Sequence, residues 1–129
     1  MKLRCLLIDD EPQALKILST YINSLSGLEI VGQCKNALEA LKILHEKTVD
    51  LIFLDIKMPD ISGIDFYNSL RKKPLVIFTT AYDQYALDAF KLNSIDYLLK
   101  PIKADELKAA INKYKKLHDK PLPGLPWEA

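Results

Sequence analysis

The chain has 129 residues, with 18 Lys and Arg against 17 Asp and Glu, a formal charge of +1, and 49% hydrophobic residues. This is the balance of an ordinary water-soluble domain with one core, and it argues against a general polyanion binder. No stretch approaches the ~20 apolar residues of a membrane span, and the apolar run after Met1-Lys2-Leu3-Arg4 stops at Asp9-Asp10, too early for a secretory leader; a cytoplasmic location is expected.

Leu3 to Ile8 predicts a first strand, ended by Asp9-Asp10-Glu11-Pro12. Gln13 to Leu25 carries Leu15, Leu18, Tyr21, Ile22 and Leu25 at helical spacing, with Gly27 where a stop is expected. Leu28 to Cys34 predicts a second strand, and Asn36 caps a helix bearing Leu38, Leu41, Ile43 and Leu44. Val49 to Leu54 predicts a third strand and Ser62 to Lys72 a third helix. Leu75 to Thr79, Asp83 to Leu92, Ile95 to Leu99 and Ala104 to Leu117 then read as strand, helix, strand and helix. Strands one, three and four are nearly continuous apolar runs, the mark of strands buried on both faces. Five strand–helix units with right-handed crossovers predict a three-layer α/β sandwich around a parallel five-stranded sheet. Cys5 and Cys34 lack metal-ligand spacing and read as buried free thiols. The segment 119–129, rich in proline and containing Trp127, reads as a linker or tail.

Ligands of open parallel sheets bind outside the carboxyl ends of the strands. Those ends carry Asp9, Asp10 and Glu11, then Asp55, then Thr79 and Thr80, then Lys100. Two carboxylates ~4 Å apart repel by about 4 kcal/mol at an effective dielectric of ~20. A pocket shared by Asp9, Asp10 and Asp55 therefore calls for a cation, and Mg²⁺ suits oxygen ligands combined with a phosphate. Lys100 adds an ammonium and Thr80 a hydroxyl, a set able to hold the oxygens of a transferring phosphoryl group. A neighbouring carboxylate can act as the nucleophile and form an acyl phosphate. Taken singly, Asp10 or Glu11 before Pro12 reads as a helix cap, Thr80 as a turn residue and Lys100 as a solvated lysine. Asp55 resists such a reading, because it directly ends Leu51-Ile52-Phe53-Leu54.

Four pieces, Leu7-Ile8-Asp9-Asp10-Glu11-Pro12, Asp55-Ile56-Lys57-Met58-Pro59-Asp60-Ile61-Ser62-Gly63, Thr79-Thr80-Ala81 and Asp96-Tyr97-Leu98-Leu99-Lys100-Pro101, stand in order at strand ends. On these the chain, over residues 1–118, resembles the receiver domain of two-component response regulators. The resemblance implies a flavodoxin-like (βα)5 fold with strand order 2-1-3-4-5. It implies that Asp55 is the phosphoacceptor and that Mg²⁺ is held by Asp9, Asp10, Asp55 and the backbone carbonyl of Lys57, with Asp10 the direct ligand. It further implies that Thr80 and Lys100 grip the phosphoryl group, that Tyr97 is the switch aromatic, that Gly63 serves the turn after Pro59, and that the Lys100–Pro101 bond is cis.

The stretch from Phe78 to Phe90 is similar to receivers that precede a LytTR-type (LytR/AlgR) DNA-binding domain. The partners so implied are a sensor histidine kinase and a second copy, joined through the face of the fourth predicted helix, fifth strand and fifth predicted helix, where Tyr85, Phe90 and Tyr97 collect. DNA would be contacted only through an output domain absent from these residues. The resemblance implies no enzyme beyond self-phosphorylation and autodephosphorylation of Asp55. Two rivals share the fold or the chemistry. A haloacid-dehalogenase-type phosphatase wants a second Asp where Lys57 stands, and a flavin binder wants a Ser, Thr and Gly-rich loop where Asp9-Asp10-Glu11 stands. A third rival, a receiver-shaped scaffold that is never phosphorylated, has no residue in its favour.

Overall fold

A computed structural model describes residues 2–81 and 96–119. In chain order its elements are β1 (Leu3–Ile8), α1 (Pro12–Asn23), β2 (Leu28–Cys34), α2 (Ala37–Glu46), β3 (Leu51–Asp55), α3 (Gly63–Ser69), β4 (Leu75–Thr80), β5 (Asp96–Leu99) and α4 (Ala104–Asp119). The helix expected over 83–92 lies outside the described residues, as do Tyr85, Phe90 and the tail from 120 onward. Every strand pairing is parallel, as the sequence predicts, and the order is β2-β1-β3-β4-β5, as the resemblance implies.

Side chains alternate across a strand, so the sheet sorts its apolar residues into two cores. Cys5, Leu7, Leu51, Phe53, Ile77 and Leu98 pack on one face against Leu15, Leu18 and Ile22 of α1 and Leu107, Ile111 and Tyr114 of α4. Leu6, Ile8, Ile52, Leu54, Val76 and Phe78 pack on the other against Ala37 and Ala40 of α2 and Phe66, Tyr67 and Leu70 of α3. The continuous apolar runs of β1, β3 and β4 thus serve two cores at once. β2 and β5 are the edges, which is why their sequences alternate more.

Several expectations shift, among them the end of α1, which is Asn23 rather than Leu25. The third helix is shorter than the predicted 62–72, because Leu70 leaves helical geometry at φ −74°, ψ 136° and its side chain turns inward. The third strand begins at Leu51, with Val49 ahead of it. On α2 the buried positions are Ala37 and Ala40, whereas Leu38 is 74% exposed and Leu41 is also exposed. Asn36 caps α2 as predicted, its side chain accepting from Glu39 N at 2.9 Å. Cys5 and Cys34 are free and buried. Burial first, and the charges of Asp50 and Glu39 second, push their thiols up to about 12 and about 11, so both are poor nucleophiles at neutral pH. Among the described residues no helix is long and apolar enough to cross a membrane.

Candidate functional site

The register of the strands assembles the site. Ile8 pairs with Leu54 and Asp55 with Thr79, so the residues that follow β1, close β3 and close β4 arrive at one rim. Lys100 joins them from the end of β5, its backbone N donating to Thr80 O at 2.8 Å. The Lys100–Pro101 peptide is cis, as the resemblance implies.

Alternation decides which way these groups face. Asp9 and Asp55 follow Leu7 and Phe53, and Lys100 follows Leu98, all members of the core under α1 and α4. Thr80 follows Phe78, and Tyr97 pairs with Phe78, both on the side of α2 and α3. Asp9, Asp55, Thr79 and Thr80 are all buried. Tyr97 is half-buried against the second core.

Lys100 Nζ lies 2.9 Å from Asp9 Oδ2, 2.7 Å from Glu11 Oε1 and 3.4 Å from Asp55 Oδ2. One ammonium thereby answers three carboxylates. Asp9 Oδ1 accepts Glu11 N at 2.9 Å, and Asp55 Oδ1 accepts Lys57 N at 3.2 Å. Burial, then the charge of Asp9, pushes the Asp55 carboxyl up to about 7 against the opposing pull of Lys100 and the Lys57 N–H. Burial alone would lower the Lys100 ammonium, but its contacts with Glu11 and Asp9 and the charges of Asp55 and Asp9 hold it above the ordinary lysine range.

The donor set fits a hard cation. Oxygens of Asp9, Glu11 and Asp55 all lie within 4.8 Å of one another. Asp9 Oδ2 is buried and meets no donor with hydrogen-bond geometry, despite its ion pair with Lys100. Three carboxylates sharing one rim, with their oxygens this close, suit an oxygen-preferring divalent ion.

This grouping differs from the sequence reading at one residue. Asp10 is exposed and faces an open cleft of about 600 Å³ shared with Lys57, Met58, Pro59 and Asp65. Glu11, expected to cap α1, takes the N-cap position but makes no side-chain cap hydrogen bond. Its carboxylate is on Lys100 instead. Two signals in the sequence point this way: Glu is a poor N-cap residue, and Pro12 at the first helical position has no N–H to satisfy.

Gly63 has a firmer reason than a turn. A Cβ there would strike the backbone carbonyl of Asp55 and come within 3.0 Å of Ile56 Cα, while Gly63 N donates to Ile56 O at 2.6 Å. The start of α3 thus rests on the backbone of the central acid. Gly63→Ala is expected to cost about 1–3 kcal/mol of stability, as overpacking does, and to displace Asp55. A thermal melt and an amide spectrum check this; an unmoved Asp55 resonance would contradict it.

A parallel sheet with this order, bearing a buried acid cluster and one lysine at its carboxyl rim, is the architecture of a signalling receiver. The response regulator receiver domain matches residues 5–112, and the chain belongs to that family. It is 43% identical over 102 residues to the transcriptional regulatory protein BtsR of Escherichia coli, covering 78% of this chain and 43% of BtsR. It is 40% identical over 116 residues to the sensory transduction protein LytR of Staphylococcus haemolyticus, covering 88% of this chain and 45% of LytR. The chain spans about half the length of the curated relatives it matches. Among solved structures, the response regulator TrrA of Thermotoga maritima in complex with Mg²⁺-BeF superposes with a TM-score of 0.76 at 37% identity, covering 88% of this chain and 99% of that one.

Proposed function

We propose that this receiver takes a phosphoryl group onto Asp55 from the phosphohistidine of a sensor histidine kinase. The observation that carries the reading is Asp55 itself: a buried carboxylate beside two others, with a single ammonium among them. An Asp55 oxygen attacks phosphorus, the P–N bond breaks, and the imidazole leaves with its electron pair, giving an acyl phosphate. Mg²⁺ would be held by Asp9, Asp10 and Asp55 together with the Lys57 carbonyl, with Glu11 at the same rim. When bound it supplies charge neutralisation for the incoming phosphoryl oxygens.

The rest is done by this chain's own groups. Lys100 exchanges its contact with Asp55 for a phosphoryl oxygen, and Thr80 donates its hydroxyl to another. Thr80 moving toward the rim frees space on the α3 side, where Tyr97 turns inward. The added charge biases a two-state equilibrium. The altered face carrying β5 and α4 then engages a second copy. In the longer protein a LytTR-type output domain would bind DNA, a reading supported by the relatives named BtsR and LytR. On this reading the chain is a switch with self-phosphorylating and autodephosphorylating chemistry only, and it works in the cytoplasm.

The test is acetyl phosphate or beryllofluoride with Mg²⁺, read by Phos-tag electrophoresis and by amide shifts at Thr80 and Tyr97. A phosphorylated band and shifts that require Mg²⁺ are expected. A wild-type chain that responds to neither reagent would refute the reading.

A further inference from the structure

The loop between Asp55 and α3 is held at both ends within its own unit: Lys57 N donates to Asp55 Oδ1, and Gly63 N donates to Ile56 O. Ile56 N ties the same loop to β4 by donating to Thr79 O at 3.0 Å, and a further tether reaches α2. The Asp60 carboxylate accepts Ala37 N, the first helical N–H of α2, at 3.0 Å through Oδ2 and 3.3 Å through Oδ1, and its Oδ1 also accepts Ile61 N at 3.1 Å. Asp60 is exposed, so its carboxylate had water as an alternative. It instead completes the cap of a helix 23 positions away in sequence. Asn36 serves Glu39 N in the same turn, leaving Ala37 N to Asp60. A carboxylate is favoured there because the first N–H groups of a helix have no partner within it and carry its positive end.

We propose that Asp60 is a positioning residue for the phosphoacceptor site, fixing the loop that carries the Lys57 carbonyl by anchoring it to the start of α2. The proposal rests on the receiver reading above. The chain between Asp55 and Asp60 is short, so the hold on α2 limits how far Lys57 can drift from Asp55. Without it, Ile56 N still donates to Thr79 O at 3.0 Å and Gly63 N to Ile56 O, but the outer part of the loop loses its hold on α2, and the Lys57 carbonyl samples positions from which it cannot join the carboxylates.

The experiment titrates MgCl₂ into the full 129-residue chain and into three variants, following amide shifts of Lys57 and Gly63 together with hydrogen exchange at Ala37. Asp60→Ala is expected to weaken Mg²⁺ binding at least five-fold and to speed exchange at Ala37. Asp60→Asn keeps an oxygen acceptor without the charge and is expected to stay within two-fold of wild type. Asn36→Ala removes the other cap of α2 without touching the loop and is also expected to stay within two-fold. Binding by Asp60→Ala within two-fold of wild type overturns the role of Asp60. Equal losses in Asp60→Asn assign the effect to distant charge, and equal losses in Asn36→Ala assign it to helix stability; either also overturns it. A wild-type chain that binds no Mg²⁺ overturns the receiver site itself, and this proposal with it.

Discussion

Asp55→Asn is expected to abolish phosphoryl uptake and, at pH 8, to make the folded chain more stable than wild type. The first effect follows from removing the nucleophile. The second follows from the folded-state carboxyl lying at about 7 against an ordinary 3.8. A raised acid binds more protons folded than unfolded. The folded state therefore loses stability as pH rises from the unfolded value through about 7, and the penalty is complete above that. At pH 8 the Asp55 carboxylate is charged, and Asp55→Asn removes the cost of burying that charge and, second, its repulsion by Asp9. The gain is on the order of a few kcal/mol at pH 8 and vanishes below about pH 4, where the carboxyl is protonated in both states. Thermal melts at pH 4, 6 and 8 read it directly. A variant less stable than wild type at pH 8 would show that Lys100 more than compensates Asp55.

Lys100→Met carries the opposite sign. The methionine keeps most of the stem and removes the charge, leaving Asp9, Glu11 and Asp55 without their ammonium. Removing one partner of a buried pair costs about 3–5 kcal/mol. The lower end applies, because the Glu11 side chain is 62% exposed and can return to water. The loss should be largest at pH 8 and smaller at pH 5, where Asp55 is protonated. Millimolar Mg²⁺ should restore more of the melting temperature in this variant than it adds to wild type, since the ion would then face no competing ammonium. Equal stabilisation of the two proteins would mean that Lys100 Nζ and the ion do not share the pocket.

The fold was legible because each level of the sequence agreed with the next. Continuous apolar runs in β1, β3 and β4 announced a sheet covered on both sides, and Asn36 marked the start of α2 where the structure has it, whereas α1 already ends at Asn23, ahead of the stop expected at Gly27. The site was legible as a set of strand ends, since parallel topology brings those ends to one rim whatever the loops do. The choice among three consecutive acids was harder. Asp9, Asp10 and Glu11 differ by the direction in which the chain leaves β1, and that direction depends on how Pro12 starts α1. Asp60 gave no signal at all, because its partner is a backbone N–H far away in sequence, and backbone donors carry no residue identity. Leu38 and Leu41 show a similar limit: the helical period was right, while small Ala37 and Ala40 took the buried places where α2 lies close to the sheet.

The sheet's alternation separates the groups by face. By alternation Asp9, Asp55 and Lys100 continue the positions of Leu7, Phe53 and Leu98 on the α1 and α4 side, and Thr80 continues that of Phe78 on the α2 and α3 side, where Tyr97 also packs. The sheet therefore acts as a partition whose two sides meet at the rim around Asp55. On the proposed reading, residues that govern who writes to this domain and residues that govern who reads it sit in separate packing environments. After gene duplication each set is free to drift without unsettling the other, so one scaffold can be rewired on its input side while its output stays unchanged.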